Sequence, residues 1–208
     1  MILMRDSYTT VKGISEYRIT IKGSEFISCA MSCSSPEDIT SNLEYMKEKF
    51  PNATHYCYAS RYSDIERFSD NGEPSGTAGR PMMQVIRGSG IDDIMVVVVR
   101  YFGGTLLGTG GLVQAYTDCA AGAVGLARTV KMVHCNRISI ECGYDTYGRF
   151  DTVCKDIFIG KPERIFSENV TIISDVPDDN TDDFIKAVND MTGGNVKISI
   201  SDKGYRES

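Results

Sequence analysis

A chain of 208 residues suits one large or two small domains, each able to bury a core. With 41% hydrophobic and 24% charged residues its composition is that of a globular protein, and no apolar run approaches the roughly 20 residues that span a membrane. The net charge of −6 lies mostly at the back, with 13 Lys/Arg against 14 Asp/Glu through His134 and 9 against 14 from Cys135 onward. Nonspecific nucleic-acid affinity comes from cationic side chains displacing counterions, so the acidic C-terminal part is a poor candidate for it.

The opening Met1-Ile2-Leu3-Met4-Arg5-Asp6 turns polar too soon for a signal-peptide core, and a cytoplasmic protein is expected. Tyr17–Ile21 alternates as a strand does, and Phe26–Met31 follows after Gly23. Ser35, Pro36 and Asp38 have the spacing of a capping box with proline at the first helical position. Ile39, Leu43, Met46 and Phe50 then form one apolar helical face that Pro51 terminates. His55–Ser60 is predicted to be a strand and Asp70–Gly79 a loop, with a short helix over Ala78–Arg87. Ile94–Val99 is a continuous apolar run, as in a strand buried on both faces. Gly103–Gly111 is predicted to be a second glycine-rich loop, and Leu112–Val130 an Ala- and Gly-rich helix. Glycine costs helix stability, so its repetition there points to close packing against a sheet.

From Asn136 the pattern restarts. Ile138, Ile140, Cys142 and Tyr144 alternate with polar residues, a helix is expected over Tyr147–Phe158, and strands over Arg164–Ser167 and Val170–Val176. A helix over Asp179–Thr192, ended by Gly193-Gly194, and a last strand carrying Val196, Ile198 and Ile200 complete the order βαββαβ, that of a ferredoxin-like domain. The fold class is therefore α+β in two domains, residues 1–134 and 135–208. Strand alternation sends Ser139, Glu141, Lys197 and Ser199 outward, without the aromatic pattern of a base-stacking RNA sheet.

The seven cysteines contain no C-x-x-C pair and sit mostly among apolar neighbours, so they are expected to be reduced and structural. With only His55 and His134, no metal site is assigned. No cofactor motif survives inspection. Gly103 and Gly108 have the P-loop spacing, but Thr109 stands where lysine is required. Val113 fails the dinucleotide fingerprint, and Glu73 fails the first glycine of a G-x-S-x-G elbow.

What remains are two glycine-dense segments, Gly72–Gly79 and Arg100–Gly111. Backbone N–H groups in such turns form anion-binding nests, and a helix N-terminus adds a favourable dipole, with Arg80 and Arg100 flanking. Three readings of these glycines stay open: tight turns and close backbone packing alone, an anion or nucleotide ligand, or a protein or RNA docking surface. His55 reads as a hydrogen-bonding core residue or a general base, and Asp70, Glu73 and Asp118 as caps or as acid–base groups.

The strings GEPSGTAGRPM at 72–82 and VVVVRYFGGTLLGTGGL at 96–112, followed by Ala115-Tyr116 and preceded by Ala53–Ala59, strongly resemble the IMPACT family in its YigZ-like bacterial and archaeal branch. The resemblance implies an N-terminal α/β domain like domain two of a small-subunit ribosomal protein. It implies a C-terminal ferredoxin-like domain similar to the last domain of elongation factor G. A translation-associated binding protein is therefore expected, with the ribosome, RNA or a translation-regulatory protein as partner and no membrane. Eukaryotic relatives that restrain a translation kinase carry an additional RWD domain, so that role is not carried over. The candidate contact residues are His55, Glu73, Ser75, Gly76, Thr77, Gly79, Arg80, Arg100, Tyr101, Phe102, Gly103, Gly104, Gly108, Thr109, Gly110 and Gly111. The rival reading is an enzyme or ligand sensor for a phosphorylated or carboxylated small molecule, with Glu73, Ser75, Thr77 and His55 converging on the nest.

Overall fold

The computed structural model describes residues 5–153 and 157–208. The chain divides into two compact units, one of Thr9–Val130 and the other of Met1–Tyr8 with Lys131–Ser208. This division differs from a single cut after residue 134, because a first strand β1 (Ser7–Val11) joins the sheet of the second unit by pairing with β7 (Thr129–Cys142). No local signal in the sequence announces a pairing between positions so far apart.

In the first unit, β2 (Ile14–Ile21), β3 (Ser24–Ser32), β4 (His55–Tyr62), β5 (Ile65–Ser69) and β6 (Ile94–Tyr101) form a sheet in the order β2-β3-β6-β4-β5. Every pairing in it is antiparallel. The central β6 is buried along Ile94–Arg100, as its apolar run implies, because helices cover both faces. Met95, Val97 and Val99 pack with Ile39, Met46 and Phe50 of α1 (Pro36–Lys49) and its end. Ile94, Val96 and Val98 pack on the opposite face with α2 (Gly79–Ser89) and α3 (Gly108–Leu126). The capping box of α1 is formed as its spacing predicts: Ser35 accepts from the Asp38 N–H, and the Asp38 carboxylate accepts from the Ser35 N–H.

The limits of α3 differ from the sequence expectation at both ends. It begins at Gly108, inside the expected loop, and stops at Leu126, so that Thr129 and Val130 open β7. Three glycines in the first turn mask a helix start, because glycine is the poorest helix former after proline. The expected close packing is found at Gly122, where a Cβ would lie 2.1 Å from the Tyr17 ring.

In the second unit, β7, α4 (Tyr144–Val153), β8 (Ile159–Phe166), β9 (Val170–Pro177), α5 (Thr181–Thr192) and β10 (Lys197–Glu207) give the βαββαβ order. The strands lie as β10-β7-β9-β8, all antiparallel. The helix expected over Tyr147–Phe158 starts earlier and ends within the described residues at Val153; residues 154–156, Cys154 among them, lie outside those residues, as do Met1–Met4. Ile138, Ile140, Val170, Ile172, Phe184 and Val188 fill the core of this unit. The six described cysteines are free and buried. No helix among the described residues is long and apolar enough to cross a membrane.

Candidate functional site

The first glycine loop is organised around an anion that the chain itself supplies. Asp70 accepts the N–H groups of Gly76 at 2.8 Å, Ala78 at 3.0 Å and Gly79 at 2.8 Å. Burial pushes the Asp70 carboxyl upward, but these three donors and the charge of Arg80 outweigh it, and its pKa is lowered. Asp70 thus occupies the N-terminus of α2, and the N–H groups of Gly76 and Gly79 are used within the fold. The next residue ties the loop to β4: the Asn71 side chain accepts the Tyr56 N–H at 2.8 Å, and its carbonyl lies 2.8 Å from His55 Nδ1. A carbonyl only accepts, so Nδ1 carries the proton of that contact.

Arg100 follows Val96 and Val98 on the same face of β6 by the two-residue period of a strand. Register places it opposite Phe26 of β3 on one side and His55 of β4 on the other. The residue is 4% exposed. Its Nη1 donates to Glu73 Oε1 at 2.7 Å and its Nη2 to Ser24 Oγ at 3.3 Å, while Nε has no partner. The guanidinium carbon lies over two rings, 5.3 Å from the centroid of Phe26 and 5.4 Å from that of Phe102. Glu73, 8% exposed, also accepts from the Tyr116 hydroxyl of α3 at 2.8 Å, and His55 Nε2 stands 3.8 Å from the same oxygen. Removing one partner of such a buried pair leaves the other charge uncompensated, which is why Arg100 and Glu73 act together in holding the fold. Burial drives the Cys57 thiol up to about 12 and raises Tyr116 as well, so neither is a ready nucleophile.

The second glycine segment bends at Gly104, whose φ is +83°, and the preceding Gly103 lies against Gly23; a Cβ on Gly103 would come within 1.9 Å of the Gly23 carbonyl carbon. Ser24 Oγ accepts the Gly103 N–H at 3.1 Å, so one hydroxyl serves both this turn and Arg100. Beyond it, α3 starts with no side-chain cap and no acidic residue in its first turn. Its free N–H groups and dipole therefore favour a negative charge. A cavity of about 420 Å³ opens here. Gly108 and Thr109 of α3 line it together with His55, Glu73, Arg100 and Thr54, and its apolar wall is Pro74, Phe102, Leu106, Leu107 and Leu112. A mostly apolar cavity with a few convergent polar groups is the form that ligand sites take.

Residues 22–124 match the model of the Impact N-terminal domain. An IMPACT family member of Haemophilus influenzae is 31% identical over 202 residues, covering 95% of this chain and 98% of the relative. The chain belongs to the IMPACT family. YvyE of Bacillus subtilis is 31% identical over 207 residues, covering 98% of this chain and 95% of its own. YigZ of Escherichia coli is 39% identical over 129 residues, 60% of this chain and 63% of its own. A crystal structure described only as that of a hypothetical protein superposes with a TM-score of 0.66 at 27% identity, covering 96% of this chain and 99% of the other.

Every candidate residue lies inside the matched IMPACT segment, and the fold sorts them. His55, Glu73, Arg100, Phe102, Gly108 and Thr109 meet at the cavity. Gly103, Gly104, Gly110 and Gly111 shape the approach to α3 and its first turn. Ser75 is exposed, and the Thr77 hydroxyl is bonded to the Pro74 carbonyl at 2.7 Å, so neither joins His55 and Glu73 in the cavity. Arg80 lines a separate surface hollow with Phe68, Gln84 and Arg87. Tyr101 packs on the α1 face of the sheet, its hydroxyl donating to the Pro51 carbonyl at 3.1 Å. Tyr116, Ser24, Thr54 and Leu106 join the site without having been singled out. Among these, Tyr116 had a visible signal, since it falls on the buried face of an Ala-rich helix. Among the described residues no group of three or more His, Cys, Asp or Glu side chains is placed to hold a metal ion.

Proposed function

We propose that this IMPACT family protein is a binding protein whose contact surface is the cavity at the start of α3, where it seats an anionic group. The observation that supports this reading is the uncapped N-terminus of a 19-residue helix opening on a cavity of about 420 Å³ beside the buried Arg100. Glu73 neutralises Arg100, so the helix N–H groups and dipole, rather than the guanidinium charge, favour the anion. The link to translation, with ribosome, RNA or a translation-regulatory protein as partner, rests on the resemblance of the two domains to a ribosomal protein and an elongation factor.

Two experiments test the two halves of this reading. A ligand that binds only the native state raises the melting temperature with its concentration relative to its affinity. Phosphorylated or carboxylated compounds are expected to do so in thermal-shift measurements, and the protein is expected to co-sediment with ribosomes or RNA at low salt. Absence of any stabilisation together with no retained RNA or protein partner refutes the proposal. A catalytic use of the cavity has one observation in its favour. His55 is anchored through Nδ1 and presents Nε2 beside Glu73, the disposition of an acid–base group. Turnover of any stabilising ligand, lost in His55→Gln, would identify it.

A further inference from the structure

We infer that the anionic ligand of this cavity is a nucleotide, its base stacked on Phe102 and its phosphate at the first turn of α3. The inference rests on the cavity being an anion site, as proposed above, and adds the chemical class. Phe102 is 46% exposed although its ring lies against the buried Arg100 guanidinium, whose carbon is 5.4 Å from the ring centroid. Its backbone is fixed as well, the Phe102 N–H donating to Thr54 Oγ1 at 3.1 Å. A ring backed by a cation on one side and exposed beside a cavity is a stacking platform for a planar base.

The other end of the cavity carries the phosphate-binding features. Gly108 and Thr109 line it, and the helix they begin has no cap of its own. Gly110, in the same first turn, has no positive φ, and a Cβ there would meet nothing within 4 Å. The fold does not require a glycine at that position, where it costs helix stability. The missing side chain leaves the backbone of the first turn open to close approach by a tetrahedral anion. Arg100, whose side chain is 95% buried, also lines the cavity, and its Nε has no hydrogen-bond partner within the fold. A cavity of about 420 Å³ lies within the range of small-molecule sites, and His55 and Glu73 are among its polar lining residues.

A free mononucleotide and one residue of a single-stranded RNA offer the same chemistry, and titration calorimetry separates them. The probes are AMP, UMP, adenosine, ribose 5-phosphate, 3-phenylpropionate and a six-residue single-stranded RNA. The mononucleotides are expected to bind at least 10-fold more tightly than adenosine or ribose 5-phosphate. Phe102→Leu should weaken them roughly 10-fold, and Gly110→Ala should weaken every phosphate-bearing probe while leaving the melting temperature at or above that of the parent. Tighter binding of the RNA than of the mononucleotides would identify a strand as the source of the nucleotide. If ribose 5-phosphate or 3-phenylpropionate binds as well as AMP and Phe102→Leu changes nothing, the nucleotide inference falls and the anion site stands. If no probe binds, both fall.

Discussion

The glycines of α3 allow one chemical change to be made with opposite outcomes along a single helix. Gly122 faces β2, where a Cβ would stand 2.1 Å from Tyr17 Cδ1, 2.4 Å from Cε1 and 2.5 Å from Cγ. Carbon atoms prefer about 3.5–4.0 Å, so the ring must retreat by more than an ångström. The helix cannot yield instead, because Ser28 Oγ donates to the Cys119 carbonyl at 2.6 Å and Ser15 Oγ to the Ala123 carbonyl at 2.7 Å, so the ring, 36% exposed, has to give up its packing on α3 and turn toward solvent. Overpacking costs about 1–3 kcal/mol, against a helix gain for alanine of about 0.5–1 kcal/mol. Gly122→Ala is therefore expected to destabilise by about 1–2 kcal/mol. Gly125→Ala and Gly110→Ala, whose Cβ atoms would meet nothing within 4 Å, should gain about 0.5 kcal/mol each. Urea denaturation followed by circular dichroism reads the difference as a change in midpoint at constant slope. In a thermal scan it corresponds to roughly 2–4 °C per kcal/mol for a chain of this size. Equal stability of Gly122→Ala and Gly125→Ala would refute the claim that small residues let α3 lie close to the sheet.

Three further outcomes are expected. Arg100→Met should leave the Glu73 carboxylate buried without its cation and cost about 3–5 kcal/mol, measured by denaturant titration; the double variant Arg100→Met, Glu73→Gln should recover part of that loss, and a double variant no more stable than Arg100→Met would contradict the pairing. Asp70 has a lowered pKa in the folded chain, so its ionised form contributes stability that is complete above the ordinary carboxylate value of about 3.9 and is lost as pH falls through the lower folded value. Asp70→Asn should therefore reduce stability at pH 7 by about 1 kcal/mol, as loss of a helix cap does, and flatten the decline in acid; an unchanged pH profile would show that the loop does not depend on this carboxylate. Burial drives Cys29 and Cys119 up to about 11 and Cys33 and Cys57 up to about 12, so iodoacetamide at pH 8 should label these four only after denaturation, as mass spectrometry of the peptides will show.

Much of the fold was legible because its signals are local or periodic. Ser35-Pro36 with Asp38 marks the start of α1, since a capping box is satisfied within four residues. Ile94–Val99 identifies the strand covered on both faces, and the same alternation carries Arg100 onto the α3 face of the sheet. The βαββαβ order of the second unit followed from strand alternation and helix punctuation. Other features left no such trace. The short edge strand Ile65–Ser69 is mostly exposed and shows no alternation, and the start of α3 is hidden by glycines that propensity assigns to a loop.

The amino-acid sequence by itself determined the elements, the two sheets' apolar faces, the glycine segments and the family, because each is written in neighbouring residues or in a contiguous string. Tertiary structure alone decided what those segments are for. Glu73 meets Arg100 across 27 residues and Tyr116 across 43, and such encounters depend on strand register and helix placement rather than on spacing. The same distinction separates the two glycine segments, which look alike as strings. One encloses the carboxylate of Asp70, and the other leaves a helix N-terminus open on a cavity, because only the folded chain determines which backbone donors find a partner within it.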